Sequence, residues 1–329
     1  MNGSIVLTEA SDVQPVTAAV FGQGQTVDPL SEVLALLRPR SLACGAFAIP
    51  DDLAISFPKH QGIKCYAVLA GKFWLTLDGM ADPIEMNVGD CFILPRGLPF
   101  QLASDLALKP VPYTVALDSL KKSAETPHLD DGARYMAGGF FAFTGSHAEM
   151  LLHSLPPVVH IRREQDKAAL RWSLERMREE LRNPQPGTFL IAEQLAYMML
   201  IQALRLHLAD AASVAPGWLS ALSDRHLSAA IACMHNDPGH PWTLHLLAQR
   251  VGMSRSVFAH RFRETVGATP MEYLTRWRML LAADRLKSSN EGLSAVAQSL
   301  GYDSPSAFGK AFRRVMGCSP KRYARPTAA

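Results

Sequence analysis

Ala248-Gln249-Arg250-Val251-Gly252-Met253 and Ala297-Gln298-Ser299-Leu300-Gly301-Tyr302 set out one pattern twice. Downstream, Phe258, Phe262, Arg263, Gly267, Pro270 and Tyr273 recur as Phe308, Phe312, Arg313, Gly317, Pro320 and Tyr323. The offset is 49 residues in the first set and 50 in the second, so one residue is inserted between Gly301 and Phe308. A repeat of this length is one supersecondary unit used twice. Leu244, Leu247, Ala248 and Val251 stand at helical spacing, as do Leu293, Val296, Ala297 and Leu300. Gly252 and Gly301 then fall where a helix end calls for a left-handed residue. Ser254 and Ser304 can cap the next helix, and Pro305 suits its first position. Each unit therefore reads as helix, tight turn, helix, with the small Ala248 and Ala297 allowing close approach.

In the second helix of the first unit the pattern predicts Val257, Phe258, Phe262 and Val266 inward, leaving Arg255, Ser256, Ala259, His260 and Arg263 outward. In the second unit Phe308, Ala311, Phe312 and Val315 are inward, and Ser306, Gly309, Lys310, Arg313 and Arg314 outward. The second helix of such a unit is the one that enters a DNA major groove. Side chains near its start face base edges, and the arginines Arg263, Arg313 and Arg314 one turn later face phosphates. Ala259 and Gly309 lack a hydrogen-bonding side chain, so those two places serve close approach. Between the units, Met271 to Leu286 reads as a helix with Tyr273, Leu274, Trp277, Leu280, Leu281 and Leu286 as its apolar set. Such a helix spans roughly 24 Å. With its flanking turns it sets the two reading helices about one DNA turn, ~34 Å, apart.

Charge is divided in the same way. From Trp218 onward there are 15 Lys and Arg against 7 Asp and Glu, net +8, while the preceding residues carry 18 against 23, net −5. A basic half joined to an acidic half fits one nucleic-acid-binding domain and one that is not. No export signal opens the chain, and no apolar run reaches the roughly 18 residues of a membrane span, so no membrane partner is expected. Cys44, Cys65, Cys91, Cys233 and Cys318 show no Cys-x-x-Cys spacing, which points to a reducing cytoplasm rather than a disulfide framework.

The repeat, with its Arg278-Met279 lead-in and its Gly317-Cys318-Ser319-Pro320 ending, resembles the DNA-binding domain of AraC/XylS-family transcriptional regulators. The match covers about 80 residues, far more specific than a lone helix-turn-helix. By that resemblance Arg255, Ser256, Ala259 and His260, with Ser306, Gly309 and Lys310, face the bases of double-stranded promoter DNA. It further implies contact with RNA polymerase, activation more often than repression, a homodimer, and a small-molecule effector or stress signal sensed upstream.

The upstream half reads differently. Residues 1–27 have no strong periodicity and are expected to form a flexible arm, followed by a short helix over Asp28–Leu37. Short β-rich runs follow at Leu42–Ile49, Lys64–Leu69, Lys72–Leu77, Ile84–Asn87 and Cys91–Leu94, with Asp78-Gly79 as a tight turn. Such punctuation predicts an antiparallel barrel or jelly roll. Gly89-Asp90-Cys91-Phe92-Ile93-Leu94-Pro95-Arg96-Gly97 resembles the second cupin motif, G-x5-P-x-G. Metal cupins place a histidine three residues beyond that last glycine. Here the place holds Phe100, and of the His-x-His cluster only His60 is nearby, so the resemblance implies no metal and no cofactor. Helices are expected over Lys167–Leu181 and Phe189–Leu208, the second apolar around more than one face and suited to a dimer interface.

The expected fold class is α+β multidomain. Residues 28–208 form a cupin-like sensor and dimerisation domain, 209–217 a small-residue linker, and 218–329 an all-α domain of two helix-turn-helix units. Phe57, His60, Tyr66, Trp74, Phe92 and Phe100, with Phe47, are candidates to line an effector pocket. Cys44 and Cys65 raise an alternative, a redox-switched regulator; Lys64 sits beside Cys65, but neighbours on a strand face opposite sides. A further rival is a cupin enzyme fused to a DNA-binding domain. His207, His226, His235, His240 and His245 are expected to be ordinary surface or capping residues.

Overall fold

The structure, a computed structural model, describes residues 28–37, 40–49, 52–116, 134–142, 155–209, 217–288 and 291–325. The expected arm at 1–27, and residues 210–216 of the expected linker, lie outside these residues. Helix α1 (Pro29–Leu37) leads into β1 (Arg40–Ile49), β2 (Ala54–Phe57), β3 (Ile63–Ala70), β4 (Phe73–Leu77) and β5 (Ile84–Met86). Next come β6 (Cys91–Leu94), β7 (Phe100–Ala103), β8 (Val111–Pro112), β9 (Arg134–Ala142) and β10 (Val159–Ile161). One sheet has the order β1-β9-β3-β6-β10, the other β5-β4-β7-β2-β8. Among the described pairings all are antiparallel except β2 with β8, where Ile55 pairs with Val111 in parallel. Strands β2, β7 and β8 escape the sequence pattern because two to four residues give too few alternations to recognise.

The first sheet is buried on both faces. On β3, Ile63, Cys65 and Ala67 turn toward helices, while Tyr66 and Val68 turn into the barrel; on β6, Cys91 and Ile93 oppose Phe92 and Leu94 in the same way. A strand covered on both sides reads as a continuous apolar run, which explains Cys91-Phe92-Ile93-Leu94. The outer cover is α2 (Glu164–Arg182) and α3 (Thr188–Ala209), which pack on each other and on the sheet. Contrary to the sequence expectation, α3 is long and apolar enough to cross a membrane by length and composition, with mean hydropathy 1.3 over its best window. Its Ala192, Leu195, Ala196, Met199, Leu200, Ala203 and Leu204 are instead buried in the protein core. Glu193, Gln194, Gln202 and Arg205 interrupt the helix, so it does not read as one apolar run in the sequence.

After a 3-10 turn (Ser220–Ser223) the chain is helical: α4 (Arg225–Asn236), α5 (Leu244–Arg250), α6 (Arg255–Val266), α7 (Pro270–Ser288), α8 (Leu293–Ser299), α9 (Pro305–Met316) and α10 (Pro320–Ala324). Helix α7 divides its apolar residues between two cores. Tyr273, Leu274, Trp277 and Leu280 pack with α4, α5 and α6, whereas Met279, Ala282 and Ala283 pack with α8 and α9. A helix buried on both sides carries no single apolar stripe, so it serves as a rigid spacer.

Candidate nucleic-acid interface and barrel cavity

The two units close their turns with the same atoms. Met253 N–H donates to Ala248 O at 2.9 Å and Gly252 N–H to Gln249 O at 3.1 Å; Tyr302 N–H donates to Ala297 O at 3.0 Å and Gly301 N–H to Gln298 O at 3.0 Å. This double closure ends a helix on a left-handed glycine, and Gly252 and Gly301 have φ of 68° and 77°. Ser254 Oγ then accepts from Val257 N–H at 3.3 Å, and Ser304 Oγ from Ala307 N–H at 3.2 Å, starting α6 and α9. Phe258 and Phe262 on α6, and Phe308 and Phe312 on α9, are fully buried and anchor the two reading helices.

That anchoring leaves Arg255, Ser256, His260 and Arg263 exposed on α6 and Ala259 half-buried; on α9, Ser306, Lys310, Arg313 and Arg314 are exposed and Gly309 is half-buried. Val257 differs from its sequence reading. It is 54% exposed, because Phe258 and Phe262 define a narrow stripe and the residue before Phe258 lies about 100° around the helix from it. The signal was present in the repeat: Val257 aligns with Ala307, which is also exposed. An outward valine at the start of a reading helix can meet a thymine methyl group in the major groove. Arg261 pairs instead with Asp224, the residue that caps α4.

The two units are braced against each other. Arg278 on α7 donates from Nε to Pro238 O at 2.6 Å and from Nη2 to His240 O at 2.8 Å. There the backbones of Gly239 and Gly301 approach so closely that a Cβ on Gly301 would come 2.5 Å from Gly239 O. Only glycine permits this contact.

Inside the barrel is a cavity of about 360 Å³, lined by Ile55, Phe57, His60, Lys64, Tyr66, Tyr113, Phe140 and the backbone of Gly138, with Cys44 at its wall. Of the sequence candidates, Phe57, His60 and Tyr66 line it. Phe100 stacks behind Phe57, ring centroids 4.4 Å apart, in the place where a metal cupin has its histidine. Phe92 is fully buried behind Tyr66, at 5.8 Å. Trp74 faces outward, opposite to Phe73 and Leu75, beneath the Lys72 ammonium. The Phe47 side chain lies outside the described residues.

Tyr113, Phe140 and Lys64 line the cavity without being among the sequence candidates, Lys64 because a lysine within an apolar strand ordinarily reads as solvated. Lys64 is 8% exposed, and its Nζ stands 4.5 Å, 4.8 Å and 5.2 Å from the ring centroids of Phe57, Phe100 and Phe140. Among the described residues no carboxylate pairs with it. Burial pulls its pKa down to about 8. His60 is held by backbone bonding of its N–H to Gly97 O at 3.0 Å, which links the cupin-like motif to the cavity. Its ring is edge-on to Phe140, and among the described residues both ring nitrogens lack a well-formed hydrogen bond, with the Gly62 backbone nearby. Burial, and then the Lys64 charge, lower its pKa to about 4, so the ring is neutral at physiological pH.

The cysteines separate. Cys65 Sγ lies 3.8 Å from Cys91 Sγ, both fully buried on the helix-facing side of the sheet, away from Lys64. The contact with Cys91, reinforced by burial, pushes the Cys65 thiol well above its usual range and disfavours the reactive thiolate. Cys44 is half-buried, its thiol directed at Phe189 O. Two histidines also depart from expectation. His207 and His235 are buried, the latter stacked on Trp277 with centroids 3.7 Å apart. His226 bonds Val251 O at 2.8 Å, His240 lies tilted against Trp242, and His245 is exposed.

Comparison with known proteins bears on both halves. A cupin family model matches residues 28–209 and a helix-turn-helix domain model matches 247–326. The chain is 39% identical over 302 residues to an AraC-like transcription regulator of Streptomyces antibioticus, covering 90% of this chain and 98% of that one. It is 31% identical over 272 residues to the HTH-type transcriptional regulator AlkR of Acinetobacter baylyi, covering 80% of this chain and 88% of that one. Among solved structures, the DNA-binding domain of AdpA in complex with a target DNA is 34% identical; the match covers 29% of this chain and 86% of that one, with a TM-score of 0.28.

Proposed function

Since this chain belongs to the AraC-like family of transcription regulators, we propose that α6 and α9 read two successive major-groove segments of a promoter while the barrel cavity receives the signal. The observation that carries this reading is the pair of reading helices, each anchored by two buried phenylalanines and each turning polar and basic residues outward. Arg255, Ser256, Val257, Ala259 and His260 on α6, with Ser306, Gly309 and Lys310 on α9, face base edges. Arg263, Arg313 and Arg314 meet phosphates. The chain acts by binding rather than by catalysis, in the cytoplasm where the genome lies, and recruits RNA polymerase at the promoter.

The barrel, α2 and α3 form the sensing and dimerising unit, joined through residues 209–217 to the DNA-binding domain. Dimerisation runs through α2 and α3, whose outer surface is an open groove of about 790 Å³ walled by Trp172, Leu190, Ile191 and Met198. Trp172 is 62% exposed and Leu190 63%, which is costly for a surface facing water alone. A second copy covering this face would bury both aromatic and aliphatic groups while Arg176 and Arg205 form a polar rim.

A footprint of the purified, reduced protein on source DNA tests the DNA-reading assignment. Discrete sites with paired half-motifs about ten base pairs apart are expected. Diffuse binding that disappears with salt, with or without effector, would count against sequence-specific reading. Sedimentation of the wild type and a Trp172→Glu, Leu190→Glu variant tests the interface: a dimer that the variant abolishes is expected, and an unchanged dimer would place it elsewhere.

A further inference from the structure

The barrel cavity has one feature that an apolar pocket does not need. Lys64 is a full ammonium group placed among aromatic rings, with no carboxylate partner among the described residues. Burying a charge without a counterion is expensive, and three ring faces offset only part of that cost. A carboxylate on a neighbouring strand would neutralise it, yet among the described residues the paired strands β6 and β9 carry none. Beside it stands His60, a neutral ring whose nitrogens have no well-formed hydrogen bond. Both polar groups border the same cavity, and apart from the exposed Lys59 the rest of its lining is mainly apolar or aromatic.

We infer that the cavity binds a small monocarboxylate with an apolar body, its charge neutralising Lys64 and its hydrocarbon part lying against Phe57, Tyr66, Tyr113 and Phe140. This rests on the reading of the barrel as a sensor. The charge argues for one negative group rather than two, since a phosphate dianion would need a second buried cation, whereas the other lysine of the lining, Lys59, is exposed to solvent. One carboxylate oxygen accepts from Lys64 Nζ, and the other from the ring N–H of His60, a neutral imidazole having one donor nitrogen. A cavity of about 360 Å³ is near the small end of the range for ligand pockets, so the body is a single ring or a short chain. The signal is therefore an acid of modest size, not a neutral hydrocarbon.

Calorimetry on the full chain with hydrocinnamate, and with hydrocinnamyl alcohol as its uncharged counterpart, tests this directly. The acid is expected to bind tighter than the alcohol. In Lys64→Met it should lose affinity about tenfold or more, the size of one charge-assisted hydrogen bond, while the alcohol binds as well or better. Should Lys64→Met fold poorly, the wild type alone decides, because acid binding must weaken as pH rises through the Lys64 titration and alcohol binding must not. Equal affinity for acid and alcohol, independent of Lys64, would overturn the inference and leave the barrel as an apolar sensor. Binding of neither compound, with DNA recognition intact, would overturn it too. Lys64-dependent binding of the acid that leaves DNA occupancy unmoved would uphold the site and overturn the sensing role.

Discussion

Glu32 Oε2 on α1 lies 2.8 Å from His235 Nδ1 on α4, joining residues 203 apart in sequence and tying the barrel half to the DNA-binding half. The carboxylate can only accept, so Nδ1 donates to it. His235 Nε2 is then the acceptor for the Tyr273 hydroxyl at 2.8 Å. The chain of bonds runs from α1 through α4 to the spacer helix α7, and Trp277 stacks on the imidazole. Helix α1, which leads into β1, is thereby linked through α4 to the spacer helix.

Removing the carboxylate should uncouple the halves. Glu32→Ala is expected to cost about 1–3 kcal/mol, the range for losing a charged partner of a buried donor. Hydrogen exchange should show the loss concentrated in α1 and α4, with α8 and α9 unaffected. Uniform change across the chain would show that the contact is not a local tie.

The same pair has a pH dependence of definite sign. Burial holds the His235 pKa below its ordinary 6.5, and the bond to Glu32 opposes this only in part. A histidine depressed in the folded state contributes stability that is complete above its unfolded value and is lost as pH falls through the lowered one. The α1–α4 contact should therefore loosen as pH falls below the ordinary histidine range, and His235→Asn should flatten the response. Exchange rates of α4 amides across that range are the measurement.

Lys64 should destabilise the barrel at neutral pH. Its pKa of about 8 in the fold, against 10.5 outside, means that stability rises as pH climbs from the lower to the higher value. Lys64→Met is expected to unfold at higher temperature at pH 7 by an amount on the order of 2 kcal/mol. The advantage over wild type should shrink through that window; a constant difference would mean that burial leaves the Lys64 titration unshifted.

On the DNA side, Gly309→Ala separates stability from recognition. Among the described residues no atom lies within 4 Å of the position a Cβ would take, so the substitution should stabilise α9 by about 0.5–1 kcal/mol. On the proposed reading it should nonetheless weaken operator binding, because the added methyl group would lie against the duplex. Gly301→Ala should behave oppositely, destabilising the domain by its collision with Gly239 O at a φ of 77°. Thermal unfolding and a binding isotherm on each variant distinguish the two.

Base-facing and phosphate-facing residues should separate across a panel of operator variants. Lys310→Ala, His260→Ala and Val257→Ala are expected to cost about 1–3 kcal/mol on one sequence and to relax preference at one position, a thymine in the case of Val257. Arg263→Ala and Arg313→Ala should weaken all sequences alike and reduce the salt slope by about one. A uniform loss for Lys310→Ala would move it among the phosphate contacts.

Much of the helical half is local and therefore legible in the chain. Gly252 and Gly301 end helices because only a residue without a Cβ accepts the left-handed turn at little cost, and Ser254 and Ser304 start them through a bond made three residues away. Repetition removed the remaining ambiguity, and where a single unit misled, as at Val257, the aligned Ala307 already carried the correction. The cupin-like motif likewise marked the Gly97 turn that holds His60. What sequence could not supply was long-range partnership. Lys64 is one lysine in an apolar strand until β2, β7 and β9 bring three phenylalanines around it. His235 is one histidine among eleven until α1 delivers Glu32. Local bonds are written in the spacing of residues along the chain; which charges are buried, and beside what, depends on contacts between segments that only the folded topology brings together.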